Sequence, residues 1–233
     1  MNNKEIINEV RKAFVAAFEE CWEFFREVQP KHDILTYGYV RQFRVFCERH
    51  MWIYDHILSK HNIKFVGTGA ARVGFEYTMK NGKEVIFKID YRMPSEIMDD
   101  HIGNEVDLMN HEAIIERFPD AKDLLAEIYG SFEVNDTLIM VQEKMLLASE
   151  YRRIYHDEEN DIRLKAINAL AHDILVNDQN YGYTSEGVLK VTDLDRMDEN
   201  SFNRCGNDMY MESWRQFVGR KILEKKKLTL ATV

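Results

Sequence analysis

The sequence predicts an α+β fold in which a small antiparallel sheet follows a helical segment. Apolar residues between Asn3 and Val28 recur every three or four positions, which is the period of one helix face. From Ile63 onward this period gives way to short apolar runs that are typical of strands. Two of these runs flank Asn81-Gly82, a strong hairpin signal. Together these features predict a helix first and a β-meander after it.

The first predicted helix covers residues 3–28, with Asn2 and Glu5 as its N-terminal cap and Pro30 as its stop. A second apolar stripe predicts a helix over residues 40–58. The further predicted strands are 63–66, 75–79, 84–89, 129–134, 137–142 and 188–191, and the further predicted helices are 98–117, 161–175 and 208–227. We expect three regions: an N-terminal helical extension (1–62), a sheet-containing lobe (63–142) and a mostly helical lobe (143–233).

The composition is that of an ordinary globular protein of 233 residues, with 45% hydrophobic and 30% charged residues. The net charge of -9 argues against general nucleic-acid binding, because phosphate neutralisation needs clustered Lys and Arg. Three widely separated cysteines fit reduced thiols in a cytosol. No stretch approaches the roughly 20 apolar residues of a membrane helix. We therefore expect a cytoplasmic protein with no membrane contact.

Three short motifs together indicate a nucleotide site. They are the turn Val66-Gly67-Thr-Gly69-Ala-Ala-Arg72-Val-Gly74, the strand Val85-Ile-Phe-Lys88, and the strand Lys190-Val-Thr-Asp193-Leu-Asp195. Glycines allow backbone N–H groups to approach phosphates. A Lys among apolar residues needs a partner of opposite charge or an edge position. Carboxylate oxygens are ligands that Mg²⁺ favours. The order of these motifs carries more weight than any one of them.

The order of motifs resembles that of the protein kinases over about residues 65–195: a Gly-rich turn, a strand Lys, a helix Glu, a strand pair, a helix, a loop Asn and a strand Asp. The resemblance implies a bilobal fold with a small antiparallel N-lobe sheet, a truncated helical C-lobe and an N-terminal helical appendage. We expect the C-lobe to be truncated, because few residues follow Asp195 in this sequence and it contains no Ala-Pro-Glu motif. Compact kinase-like proteins of this kind resemble bacterial or bacteriophage factors.

For the upper part of the site, the resemblance implies that Lys88 holds the ATP phosphates and pairs with a helix glutamate. Glu112 is preferred over Glu105, which lies two turns earlier on the same face. Gly67, Gly69 and Arg72 would line the phosphate loop, with Arg72 standing where the family has its third glycine. Backbone groups from Glu143 to Met145 would meet adenine.

For the lower part, the resemblance implies that Asn180 and Asp193 bind Mg²⁺, with Asp195 as a further ligand in place of the family's glycine. The position of the catalytic Asp is occupied by Leu175. Either Asp173 or Asp178 replaces it as the base, or there is none.

Three functions follow from these residues. The first is an ATP-dependent phosphotransferase that phosphorylates a hydroxyl of a protein or small molecule. The second, motivated by Leu175 and the short C-lobe, is a pseudokinase that acts as a binding or inhibitory module on a partner protein. The third is an unrelated α+β domain whose motif order is accidental. ATP and Mg²⁺ are the cofactors that the first function requires.

Overall fold

The computed structural model describes residues 1–28, 54–68, 72–90, 103–134, 137–170 and 180–194. The chain divides into two compact units. The first comprises Met1–Glu105 and Glu127–Lys144, and the second comprises Val106–Ala126 and Met145–Val233. Helices and antiparallel strands are both present, so the predicted α+β class is confirmed. The predicted division at residues 62 and 142 stays a prediction.

The first unit begins with helix α1 (Asn3–Val28), which has the predicted bounds. Its N-terminal cap is also confirmed. The Asn2 backbone N–H donates to Glu5 Oε2 at 2.9 Å, and the Glu5 N–H donates to Asn2 Oδ1 at 3.0 Å. Helix α2 is described over residues 54–60, and the rest of the predicted second helix lies outside the described residues, as does Pro30.

The sheet of the first unit has five strands: β1 (Ile63–Thr68), β2 (Arg72–Thr78), β3 (Glu84–Asp90), β4 (Ile128–Val134) and β5 (Thr137–Glu143). They lie in the order β1-β2-β3-β5-β4, and every neighbouring pair is antiparallel. The predicted β2–β3 hairpin is confirmed. Gly82 has a φ of 84°, which a residue with a side chain rarely adopts, and Asn81 Oδ1 accepts the Lys83 N–H at 3.0 Å.

Helix α1 packs against one face of this sheet. The ring of Phe14 meets Phe87 edge-on at 5.7 Å between centroids and Phe132 at 5.9 Å, while Phe75 stacks on Phe87 at 5.3 Å. Side chains alternate between the faces of a strand. Lys88 therefore lies on the face opposite Phe87. The helix completes the hydrophobic core of this unit.

The second unit contains most of helix α3 (Asn104–Arg117) and a 3₁₀ turn (Pro119–Leu124). Its other elements are β6 (Leu146–Leu147), α4 (Ala148–Tyr151), α5 (Glu158–Leu170), β7 (Tyr181–Tyr183) and β8 (Leu189–Val191). The three strands form an antiparallel sheet in the order β6-β7-β8. Its core contains Ile114, Leu124 and Ile167, all almost fully buried.

One element of the second unit differs from the sequence prediction. The segment from Asn177 to Gly187 is predicted to be rich in turns, but Tyr181–Tyr183 forms strand β7. Both tyrosines are buried, and the hydrogen bonds to β6 and β8 give this short strand partners that its own sequence does not indicate. The predicted helix over 208–227 and the first residues of the one over 98–117 lie outside the described residues. Within the described segments, no helix has the length and apolar character needed to cross a membrane.

Candidate functional site

The two predicted metal ligands Asn180 and Asp193 flank the same end of the β7–β8 hairpin. Tyr181 pairs with Val191, and the Thr192 N–H continues the ladder by donating to the Asn180 carbonyl at 2.8 Å. Asp193 follows directly and is half-buried. One oxygen-bearing residue thus precedes β7 and the other follows β8, at the same end of the hairpin. Asp195, the third predicted ligand, lies outside the described residues.

The other end of this hairpin is fixed by α5. Asn160 is 5% exposed, and its Nδ2 donates to the carbonyls of Tyr155 and Gly187, at 2.8 Å each. Its Oδ1 accepts the Leu189 N–H at 2.9 Å. The turn is tightened by Thr184, whose hydroxyl oxygen accepts the Val188 N–H at 3.2 Å. These bonds hold β8 against α5. Because Asp193 follows β8 closely, they also help to fix its position.

The residue after Asp193 is bound by side chains of α3. The Leu194 N–H donates to Asp107 Oδ1 at 3.1 Å, and the Leu194 carbonyl accepts from Asn110 Nδ2 at 2.7 Å. Leu194 is 3% exposed and Asp107 is 2% exposed, so at least the first bond is made away from water. Val191, the residue before Thr192, is also hydrogen-bonded: its carbonyl accepts the Ala126 N–H at 2.7 Å.

The sequence does not single out Asp107, Asn110 or Asn160. Asp107 and Asn110 are three positions apart on α3, and Ile114 follows four positions later, so the three share one helix face. Polar residues on the same helix face as an apolar Ile are the sequence signal that could have indicated buried hydrogen-bonding side chains here. Glu105 and Glu112 are exposed, and the helical period places them on the opposite side of α3. The choice between them as partner of Lys88 stays a prediction.

His111 is the titratable group of α3 whose pKa is shifted. Burial lowers its pKa, against the raising influence of the Asp107 carboxylate, the Ala126 backbone and the Glu112 carboxylate; Lys122 also lowers it. In the unfolded chain this histidine has a pKa of about 6.5, so it takes up a proton at a higher pH than it does in the folded protein. Stability is therefore present above about pH 6.5 and is lost as the pH falls below it. We expect the drop in Tm between about pH 7.5 and about pH 5.5 to be smaller in His111→Gln than in the wild type.

The control for this prediction is His156→Gln. His156 is an exposed residue whose Nδ1 lies 3.3 Å from Asp161 Oδ1, and replacing it leaves the half-buried surroundings of His111 in place. Scanning calorimetry at the two pH values measures both variants against the wild type. An equal pH dependence in His111→Gln and the wild type would contradict the burial argument.

In the first unit, Lys88 lies on β3, the strand that the kinase resemblance predicts for it. It pairs with Gly74 on β2 and Met140 on β5, and its side chain is half-buried. Asn104 Nδ2 donates to the carbonyls of Lys88 at 2.8 Å and Leu138 at 2.9 Å. The β3–β5 pairing ends at Ile89 and Ile139, so this amide joins the two strands where their own ladder stops.

The predicted phosphate loop is described only in part. Gly67 lies on β1, and a Cβ added to it would have no atom within 4 Å. Arg72 begins β2 and is 5% exposed. Gly69 lies outside the described residues, as do the candidate bases Asp173 and Asp178.

The predicted adenine-binding segment follows β5. The Glu143 N–H donates to the Glu127 carbonyl at 2.8 Å, and the Glu143 carboxylate accepts the Glu127 N–H at 3.1 Å. Met145 is half-buried in the second unit. The contact of these backbone groups with adenine stays a prediction.

Lys144 ties the end of β5 to β2 and β3. Its Nζ lies 2.7 Å from Glu84 Oε2 and 2.9 Å from Glu76 Oε2. Burial acts to lower the pKa of Lys144, but the hydrogen bonds and charges of the two carboxylates outweigh it, so the pKa is raised. The ammonium group stays charged and bridges the two glutamates.

Among the residues that the structure describes, no group of three His, Cys, Asp or Glu side chains is arranged to hold a metal ion. Asn180 and Asp193 supply oxygen donors, which suit a hard cation such as Mg²⁺. Two oxygen donors would fill only part of the coordination sphere of such a cation, which usually retains several waters as well.

The order of elements is the one that the sequence motifs predict: a strand with Lys, then a helix, a strand pair, a further helix, and a hairpin that ends in Asp. No protein-family profile matches the sequence. No curated protein matches it either.

Comparison with solved structures returns matches to pseudokinases. One is an apo pseudokinase, with 13% identity and a TM-score of 0.38, covering 58% of this chain and 57% of that one. Another is the pseudokinase domain of BIR2, an immune regulator of the RLK/Pelle family, with 13% identity and a TM-score of 0.41, covering 60% of this chain and 44% of that one. The chain thus spans about half the length of each matched structure.

Proposed function

We propose that this protein binds ATP together with Mg²⁺ and transfers the terminal phosphoryl group to a hydroxyl of a protein or small molecule. The observation that carries this proposal is that Asn180 and Asp193 flank the same end of one hairpin, where the Asn180 carbonyl accepts the Thr192 N–H. It supports a cation site because both residues carry side-chain oxygen atoms. The occurrence of Lys88 on β3, after the glycine-containing turn, supports a phosphate contact.

In this proposal each residue has a separate task. Asn180 and Asp193, with Asp195 after them, hold Mg²⁺, which neutralises charge on the phosphates when it is bound. Lys88 binds the phosphates as a point charge, and Glu112 or Glu105 orients it. Asp173 or Asp178 accepts the proton of the attacking hydroxyl.

The first test is whether ATP and Mg²⁺ stabilise the protein only when present together. At a concentration of 100 times Kd a ligand stabilises the fold by about 2.7 kcal/mol. We expect ATP plus Mg²⁺ to raise the Tm of the wild type by an amount that corresponds to a stabilisation of this size. Either ligand alone should change the Tm little. Asp193→Asn replaces a charged ligand with a neutral one, and we expect it to abolish the Mg²⁺-dependent part of the shift.

The matched control for that variant is Asp157→Asn, in the same unit. Asp157 Oδ1 accepts the Asn160 N–H at 2.7 Å at the start of α5, and an asparagine side chain caps a helix equally well. It should respond to ATP and Mg²⁺ as the wild type does. A wild type that ignores the combined ligands, or an Asp193→Asn variant that responds fully, would rule out the site.

A pseudokinase is the second candidate, because Leu175 occupies the position of the catalytic Asp. Release of phosphate from ATP separates the two candidates. A phosphotransferase turns ATP over in the wild type and loses turnover in Lys88→Met. A pseudokinase shows the Mg²⁺-dependent Tm shift without turnover, and its activity is then the binding of a protein partner.

A further inference from the structure

The two α3 side chains that bind Leu194 are placed to control the neighbouring Asp193. We infer that Asp107 and Asn110 are positioning residues, which fix the backbone around Asp193 so that its carboxylate is ready to receive a divalent cation. This inference rests on the proposed function, because it takes Asp193 as a ligand of the cation. Asp107 and Asn110 themselves are given no contact with the cation or the nucleotide. It makes α3 a determinant of cation affinity as well as a part of the core.

The backbone is hydrogen-bonded on both sides of Asp193. On one side the Thr192 N–H is bonded to the Asn180 carbonyl at 2.8 Å. On the other side both polar groups of Leu194 are taken by Asp107 and Asn110. The peptide unit after Asp193 is thereby held directly, and the chain before it is anchored one residue earlier, at Thr192. These bonds restrict the directions that the Cα–Cβ bond of Asp193 can take.

A carboxylate held in this way loses less conformational freedom when a cation binds than one on an unrestrained loop. Groups that orient a metal ligand without touching the metal typically change metal affinity by about 10- to 100-fold when they are removed. The clamp on Leu194 has the same relation to Asp193. It acts through the backbone of the next residue rather than through the carboxylate.

The chemistry of Asp107 supports a positioning role. Burying a carboxylate is costly, and an apolar side chain would fill the same space at a lower cost. Asp107 is 2% exposed and its oxygen accepts a backbone N–H, a charge-assisted bond that is stronger than one between neutral groups. Asn110 complements it, because its amide can donate to the carbonyl, which a carboxylate cannot do.

The test compares substitutions that differ by a few atoms. Asn110→Asp keeps the shape but removes the donor to the Leu194 carbonyl, and Asp107→Ala removes the acceptor of the Leu194 N–H. Asp107→Asn keeps an acceptor oxygen and is the conservative control. The measurement is the Mg²⁺ concentration that gives half of the ATP-dependent Tm shift.

We expect this Mg²⁺ concentration to rise by about 10-fold or more in Asn110→Asp and in Asp107→Ala. In Asp107→Asn it should stay within about 3-fold of the wild-type value. ATP binding without Mg²⁺ should be equal in all of them. Hydrogen exchange of the Leu194 amide provides a second readout, and it should be faster in Asp107→Ala than in Asp107→Asn. Unchanged Mg²⁺ requirements in both disruptive variants would overturn the inference.

Failure of the proposed function would look different, because the wild type itself would then show no Mg²⁺-dependent response to ATP. In that case the exchange of the Leu194 amide decides whether the clamp exists in solution. Equal exchange in Asp107→Ala and the wild type would overturn it, and faster exchange would support it independently of ATP.

Discussion

Replacing Phe14 with alanine is expected to lower the free energy of unfolding of the first unit by about 3–5 kcal/mol. Phe14 is 6% exposed on α1, and its ring stacks on Phe18 at 4.3 Å between centroids. It also meets Phe87 and Phe132 edge-on. Removing the ring leaves a cavity between the helix and the sheet, which the surrounding rings cannot close without losing their own contacts.

Urea-induced unfolding followed by circular dichroism measures this effect. Lys12→Ala is the control on the same helix, because Lys12 is exposed and its change should alter stability by less than about 0.5 kcal/mol. Phe14→Leu, which retains much of the volume, should cost less than Phe14→Ala. Equal stabilities of Phe14→Ala and Lys12→Ala would show that α1 is not needed for the core.

Replacing Gly182 with alanine is the second change with a large expected effect. A Cβ built on Gly182 would lie 2.5 Å from the Leu146 carbonyl oxygen and 3.0 Å from Met145 Cβ. Backbone atoms of a paired strand cannot yield as the tip of a flexible side chain can, so β6 and β7 must separate. We expect a loss of about 1–3 kcal/mol or more in the second unit, as for other overpacked interiors.

Gly67→Ala is the matched control for stability, since the same methyl group on β1 would meet no atom within 4 Å. Thermal unfolding of the two variants compares an occupied space with an open one. Gly182→Ala should also raise the Mg²⁺ concentration needed for ATP-dependent stabilisation, because β7 leads directly from Asn180. A Tm for Gly182→Ala equal to that of Gly67→Ala would contradict the steric argument.

Features set by neighbouring residues could be predicted from the sequence. The cap formed by Asn2 and Glu5 and the hairpin at Asn81-Gly82 depend on interactions within a few positions, and both are confirmed. The period of α1 also predicts which side of the helix is apolar. It does not predict what covers that side, because the partners of Phe14 on the sheet come from distant segments of the chain.

The features of the site that could not be predicted depend on contacts between residues far apart in the sequence. The bond between Asp107 and the backbone of Leu194 joins residues that are 87 positions apart. Only the folded chain brings them together. Strand β7 escaped prediction because three residues with a central glycine carry little signal of their own. Asn180 and Asp193 were predicted from motif order, and the structure places them at the same end of one hairpin, but their roles and those of Lys88, Glu112 and the candidate bases stay predictions.

The alternation along β3 has a consequence for how this protein can change. Val85 and Phe87 belong to the core with α1, whereas Glu84 and Lys88 point to the other side of the same strand. Substitutions at even positions can therefore alter the charge of one face of β3, while the odd positions preserve the core with α1. A single strand thus carries two sets of sites, one that can vary in sequence and one that maintains the structure.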